Sequence, residues 1–254
     1  MKDSTTRVRR YISNILTALF WIAVWQVFAL IVDQQLFLAS PISVIVTLAA
    51  LVTQSAFYAA VVNTFLHITT GFLCAFLIGI GFAALSAKVR VIKKLLLPLM
   101  TMINSTPVAS FTILALILVG SKHISALMAF LMVMPIIYTN TLSGIQQIKK
   151  PMFEAAEIFG MPRDERLRYI YLPETLPYVL SACSVGLGIS WKAGVAAEVI
   201  GIASKTIGGK LYDAKNLLNT SELFAYTLVI ILISLAFEKL FVALLKRSVQ
   251  SVLD

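Results

Sequence analysis

Apolar positions in this chain come in long unbroken runs rather than in the one-sided stripes of a soluble amphipathic helix. The runs cover residues 12–32, 57–87, 95–119, 124–145, 177–202 and 223–245. About 20 residues rising 1.5 Å each cross a hydrocarbon core of ~30 Å, so each run predicts a transmembrane helix. The expected fold class is all-α: one polytopic domain over residues 1–254 with about six spans. Ser40-Pro41 reads as a turn or helix start, opening a short surface helix over 42–51. Gly71, Gly79 and Gly81 in the second run let helices approach closely. The third run is interrupted by Asn104-Ser105-Thr106-Pro107, which reads either as a kink or as a broken helix lining a path. Pro135 is expected to kink or end the fourth. Residues 203–221 form a polar segment before the last span, and residues 146–173 form a longer charged one.

Composition agrees with the bilayer: 59% of residues are hydrophobic, 13% are charged, and the mean hydropathy is +0.90. The formal charge of +9 does not point to nucleic acid, because the sequence has no aromatic-flanked basic stripe. Of the 21 Lys and Arg, 15 fall in the N-terminal start, residues 88–94, residues 149–168 and the tail, against 4 in the intervening loops. The positive-inside bias then puts the N-terminus and the 146–173 loop in the cytoplasm. The first run is too long for a signal-peptide core and reads as a retained helix. Cys74 and Cys183 lie inside apolar runs, and the histidines are His67 and His123, so neither a disulfide framework nor a metal site is expected. No cofactor is expected either.

Residues 152–159 can form a short helix with Glu154 and Glu157 early, where its dipole favours negative charge. Gly160 is the natural stop, Met161-Pro162 blocks continuation, and a basic turn over 163–169 leads to Leu172-Pro173. The segment reads as a helix-turn-helix at the membrane surface, with Ala155 and Ala156 giving it a low profile. Glu154-Ala155-Ala156, three residues, Gly160, nine residues, Ile170, one residue and Leu172-Pro173 resembles the EAA loop of binding-protein-dependent ABC importer permeases, with every fixed position filled. In that family the loop forms the coupling helix seated in a cleft of the partner ATPase. The resemblance implies that Glu154, Ala155, Ala156 and Gly160, flanked by Arg163 and Asp164, contact the ATPase.

The other informative stretch is Ser190-Trp191-Lys192-Ala193-Gly194-Val195-Ala196-Ala197-Glu198. It resembles the fifth span of the nitrate/sulfonate/taurine branch of these permeases. Charges at membrane depth are costly and face partners or water. Lys192 and Glu198 are six apart, about 240° around an ideal helix, so a straight helix does not pair them, although the small residues between permit a local break. In one reading Lys192 gives the pathway positive potential for an anionic or zwitterionic solute while Glu198 locks helices or gates. In the other, each is neutralised by a neighbouring helix or a second copy. Trp191 and Asn104 join them as candidate pathway residues. His67 is either a polar pathway contact or bonded to a backbone carbonyl, and it stands where the family often has arginine.

The sequence contains no Gly-x4-Gly-Lys-Ser/Thr, so the chain does not hold nucleotide itself. His-Glu-x-x-His, a Ser-His triad and paired inverted halves are also missing. The resemblance therefore implies a type I ABC importer permease in a bacterial-type inner membrane. Its expected partners are cytoplasmic P-loop ATPases, an extracytoplasmic binding protein, a second permease copy and membrane lipid, with no nucleic acid. An ATP-independent secondary transporter or channel is the alternative from another class.

Overall fold

The computed structural model describes residues 2–32, 34 and 36–253, and the side chains of residues 13, 15–32, 34 and 36–251. The basic side chains of Lys2, Arg7, Arg9 and Arg10, on which part of the expected orientation rests, lie outside the described ones. The described elements are helices: α1 (Lys2–Val32), α2 (Pro41–Val52), α3 (Ser55–Lys88), α4 (Arg90–Ser105), α5 (Val108–Val119), α6 (Ile124–Gln147), α7 (Lys150–Ile158), α8 (Arg163–Arg166), a π turn (Leu167–Tyr171) running into α9 (Leu172–Ile200), α10 (Ile207–Asn216) and α11 (Thr220–Leu253). Among them, five are long and apolar enough to cross a membrane, or six when α4 and α5 count as one broken span.

That break answers the question raised by Asn104 to Pro107. The helices on either side are bent by 107°, far beyond a proline kink. Thr106 Oγ1 donates to the Met102 carbonyl at 2.8 Å, satisfying one helix-end acceptor. Pro135 does not end the span, because α6 runs through it to Gln147. Just beyond it, Thr139 Oγ1 donates to Pro135 O and Asn140 Nδ2 to Ile136 O, at 2.7 and 2.9 Å. The polar 203–221 segment contains α10.

The described residues form two compact units. In the first, drawn from Met1–Tyr58 and Lys210–Val229, the Ser40 side chain caps α2 by accepting from Ser43 N at 3.2 Å. Trp25 Nε1 donates to Ala39 O at 3.0 Å and its ring lies 5.5 Å from Phe224, which makes this tryptophan a packing residue.

The second unit, Ala59–Gly209 with Ile230–Asp254, is built on α6 and α9, which pack along most of their length. Gly144 lies against Tyr178 and Gly186 against Val133, while Gly194 meets Ile68 of α3 most closely and the Ser125 carbonyl of α6 at ordinary contact distance. One number rises along these pairs as the other falls, so the two helices run antiparallel. Missing Cβ atoms let the backbones close. On α3, Gly71 rests on the Ala126 backbone and Gly79 on Ile137. Phe72 is fully buried and receives Phe241 edge-on at 5.0 Å, which docks α11. Valine at Gly71 would drive a Cβ into the Ala126 carbonyl, whereas Gly81 faces open space. Gly71→Val is expected to cost about 1–3 kcal/mol and to lower the thermal unfolding midpoint in detergent, with Gly81→Val unchanged.

Candidate functional site

The 146–173 segment is a helical hairpin joining the end of α6 to the start of α9. Helix α7 opens at Lys150-Pro151, where proline's missing donor costs nothing. It closes in a Schellman turn: Met161 N donates to Ala156 O at 2.8 Å and Gly160 N to Glu157 O at 3.0 Å. Gly160 takes the left-handed φ of 63° that this turn requires. Arg166 reinforces the corner by donating from Nε to Met161 O at 2.8 Å. Beneath it Ile148, Ala156 and Ile170 form a small buried core covered by Met152, Phe153, Met161 and Tyr171.

This geometry divides the expected contact residues. Glu154, Ala155, Gly160, Arg163 and Asp164 are exposed, while Ala156 is only 3% exposed and faces the hairpin's own core. Here Ala156 sets how closely α7 lies on Ile148 and Ile170, and Ala155 supplies the low-profile face. Two residues that sequence reasoning missed stand out. Ile158 and Phe159 are 83% and 84% exposed, next to the turn. They fill variable positions of the motif, and the signal available was an apolar pair directly before a helix stop in an otherwise charged loop.

At the other end of α9 the structure does not bring Lys192 and Glu198 together. The helix is unbroken from Leu172 to Ile200, so the local break that would have allowed pairing is absent. Glu198 is fully buried and acts as a tie. Its Oε2 accepts from Thr64 Oγ1 at 2.8 Å and from Gly208 N at 3.0 Å. Thr64 Oγ1 accepts in turn from Ile207 N at 2.8 Å, and Gly209 N donates to Thr206 Oγ1 at 3.0 Å. One carboxylate and two hydroxyls thus take up the first amides of α10, where the helix dipole favours negative charge. Asn63 Nδ2 adds a bond to Lys205 O at 2.9 Å, at a residue with φ 57°. A Cβ on Gly208 would collide with the Glu198 side chain and one on Gly209 with the Ala203 carbonyl, which accounts for the Gly208-Gly209 pair.

Lys192 lies on the uncovered side of α9, in a stripe with Glu174, Ser181, Val185 and Gly188, the last facing open space. Trp191 is 2% exposed, its ring 6.1 Å from Phe65, and belongs to the packing rather than to this stripe. Asn104 is exposed at the end of α4, beside the 107° break. His67 Nδ1 is buried without a hydrogen-bond partner, and its ring meets His123 edge-on at 6.0 Å. Of the four candidate pathway residues, the structure thus exposes Lys192 and Asn104 and buries Trp191 and Glu198. Thr64→Val would strip Glu198 of one donor and leave Ile207 N unpaired, at about 1–3 kcal/mol for each unsatisfied group. Amide exchange at Ile207 and Gly208 should quicken and the unfolding midpoint fall, with Thr64→Ser restoring both.

Comparison with known proteins gives this geometry a context. The SsuC permease protein of Bacillus subtilis (strain 168), described for aliphatic sulfonates transport, is 27% identical over 232 residues, covering 89% of this chain and 82% of that protein. The taurine transport system permease protein TauC of Escherichia coli (strain K12) is 26% identical over 220 residues, covering 84% of this chain and 80% of TauC. The crystal structure of an amino acid ABC transporter with histidines superposes with a TM-score of 0.55 at 19% identity, covering 77% of this chain and 94% of that one, which bears on the fold alone. The model of the family described as "Binding-protein-dependent transport system inner membrane component" matches residues 75–253, from the middle of α3 through the hairpin to the end of α11. With its apolar helices, the chain belongs to that family and is a multi-pass permease subunit of an ABC importer.

Proposed function

We propose that residues 146–173 are the coupling loop gripped by a cytoplasmic P-loop ATPase, which hydrolyses ATP on the permease's behalf. The exposed hairpin carries this reading: a rigid capped corner presents Glu154, Ala155, Ile158, Phe159 and Gly160 together, on a segment tied directly into α6 and α9. Exposed apolar side chains on an otherwise charged loop gain from burial, and Arg163 and Asp164 flank the contact with charge. The N-terminus then lies in the cytoplasm of a bacterial-type inner membrane. An extracytoplasmic binding protein delivers the solute, and two copies of the chain enclose the path, since C2 pairing is the usual closure for such a subunit. Closure of the ATPases draws the two hairpins together and rocks each bundle as a rigid body, opening the path outward.

The solute class follows from Lys192. An exposed ammonium on the uncovered stripe of α9 favours an anionic or zwitterionic ligand, and the two relatives named for sulfonates and taurine agree with such chemistry. The family match does not favour an ATP-independent carrier.

Gentle extraction of the tagged permease from its native membrane should recover a P-loop ATPase at one copy per permease. Phe159→Ala removes a side chain whose burial contributes about 1.5–3 kcal/mol, so ATPase retention should weaken roughly 10- to 100-fold. Gly160→Val, forced into a left-handed backbone at a cost of roughly 1–2 kcal/mol, should impair coupling more than membrane insertion. A clean homo-oligomer that never holds an ATPase would refute the assignment. In proteoliposomes, Lys192→Ala should lower uptake roughly tenfold or more while assembly stays normal, because a charge-assisted hydrogen bond contributes about 1.5–3 kcal/mol. Unchanged uptake would remove Lys192 from the path.

A further inference from the structure

The last span carries charge where lipid-facing helices carry none. Glu238, Lys239, Val242, Ala243 and Lys246 of α11, with Ser184 of α9, line a groove of ≈ 290 Å³. The rotation of α11 is fixed by Phe237, Phe241 and Leu245, which pack against the core. Lys239, Ala243 and Lys246 recur at i, i+4 and i+7 and therefore share one face, with the two lysine backbones roughly 10 Å apart along the axis. Between them Ala243 offers no more than a methyl group, which leaves a gap flanked by two ammonium groups. Glu238 is half-buried at the groove's side, while Lys239, Ala243 and Lys246 are exposed and leave it open laterally. Ionised groups on a spanning segment persist when they face water, a partner or a ligand. Two cations, one carboxylate and a hydroxyl around a gap of this size make a pattern with its own complement.

We infer that this groove binds a short zwitterion pairing a phosphate or similar acid group with a primary amine two carbons away. The acid group sits over Ala243 between the Lys239 and Lys246 ammonium groups, which act on phosphate as point charges. The amine reaches the Glu238 carboxylate, with Ser184 Oγ beside it. The groove of ≈ 290 Å³ has room for a group of this size. Phosphoethanolamine has this chemistry both as a free solute and as a lipid headgroup, and the lateral opening admits either. The site stands on α9 and α11 alone and does not depend on the coupling-loop assignment.

The test uses the full chain in nanodiscs of phosphatidylglycerol, titrated with phosphoethanolamine and with ethyl phosphate, its amine-free counterpart, and read by ligand-observed NMR. Phosphoethanolamine should bind saturably, and ethyl phosphate about tenfold more weakly, as expected for one lost charge-assisted bond. Glu238→Gln should make the two ligands equal, and the double variant K239Q/K246Q should abolish both. Ala243→Phe fills the gap without removing charge and should give the same loss, which separates occupancy from misfolding. Native mass spectrometry from phosphatidylethanolamine-containing membranes supplies the second arm. One retained phosphatidylethanolamine per chain, lost in Ala243→Phe and without saturable binding of the free solute, assigns the site to the headgroup. Binding of neither form, or binding that survives both K239Q/K246Q and Ala243→Phe, overturns the inference. ATPase content, measured in the same native extract, reports separately on the coupling loop.

Discussion

Close backbone contact between α6 and α9 is the constraint on which the second unit rests. The two helices meet through Gly144 against Tyr178 and Gly186 against Val133, and the hairpin of residues 146–173 connects one end of each. A loop tethered at both ends to one tightly packed pair cannot move without moving the pair, since close-packed interiors transmit displacement rather than absorb it. The hairpin adds stiffness of its own through the Schellman turn at Gly160, the Arg166 bond to Met161 O and the buried Ile148, Ala156 and Ile170. A surface built this way suits a permease subunit that receives force from outside its own chain.

At the far end of α9, polar chemistry takes over from close packing. Glu198 spends one carboxylate oxygen on Thr64 and on the amide of Gly208, fastening the beginning of α10 to α3 and α9. The arrangement holds Glu198 Oε2 by hydrogen bonds from α3 and α10 and not by Lys192. It also leaves Lys192 as the positive charge of the uncovered stripe of α9. The two residues share a helix and a membrane-depth cost, yet they meet it differently: Glu198 by hydrogen bonds inside the fold, Lys192 by facing out of it.

What the sequence made legible follows from what each signal depends on. Span length and apolar continuity are one-dimensional, so the long helices and the all-α class could be read directly, and Gly160 as a helix stop is a local backbone property. Burial on one side of a short helix is tertiary, which is why Ala155 and Ala156 looked equivalent although one is exposed and the other buried. The tie between Thr64 and Glu198 crosses 134 positions, and no spacing rule carries it. Pro135 and Asn104-Ser105-Thr106-Pro107 show the same limit, as similar proline signals give a continuous helix in one place and a 107° break in the other. Neighbouring helices decide which outcome prevails.

The measurement that tests the central claim most directly is the distance between the two hairpins in the assembled transporter. Spin labels at Glu157, whose side chain is exposed while only its carbonyl serves the turn, can be read by pulsed electron paramagnetic resonance with and without a non-hydrolysable ATP analogue. The account predicts that the nucleotide shifts the distribution toward shorter distances, as the ATPases close and carry the hairpins with them. Distances that stay unchanged while the nucleotide is bound would contradict it.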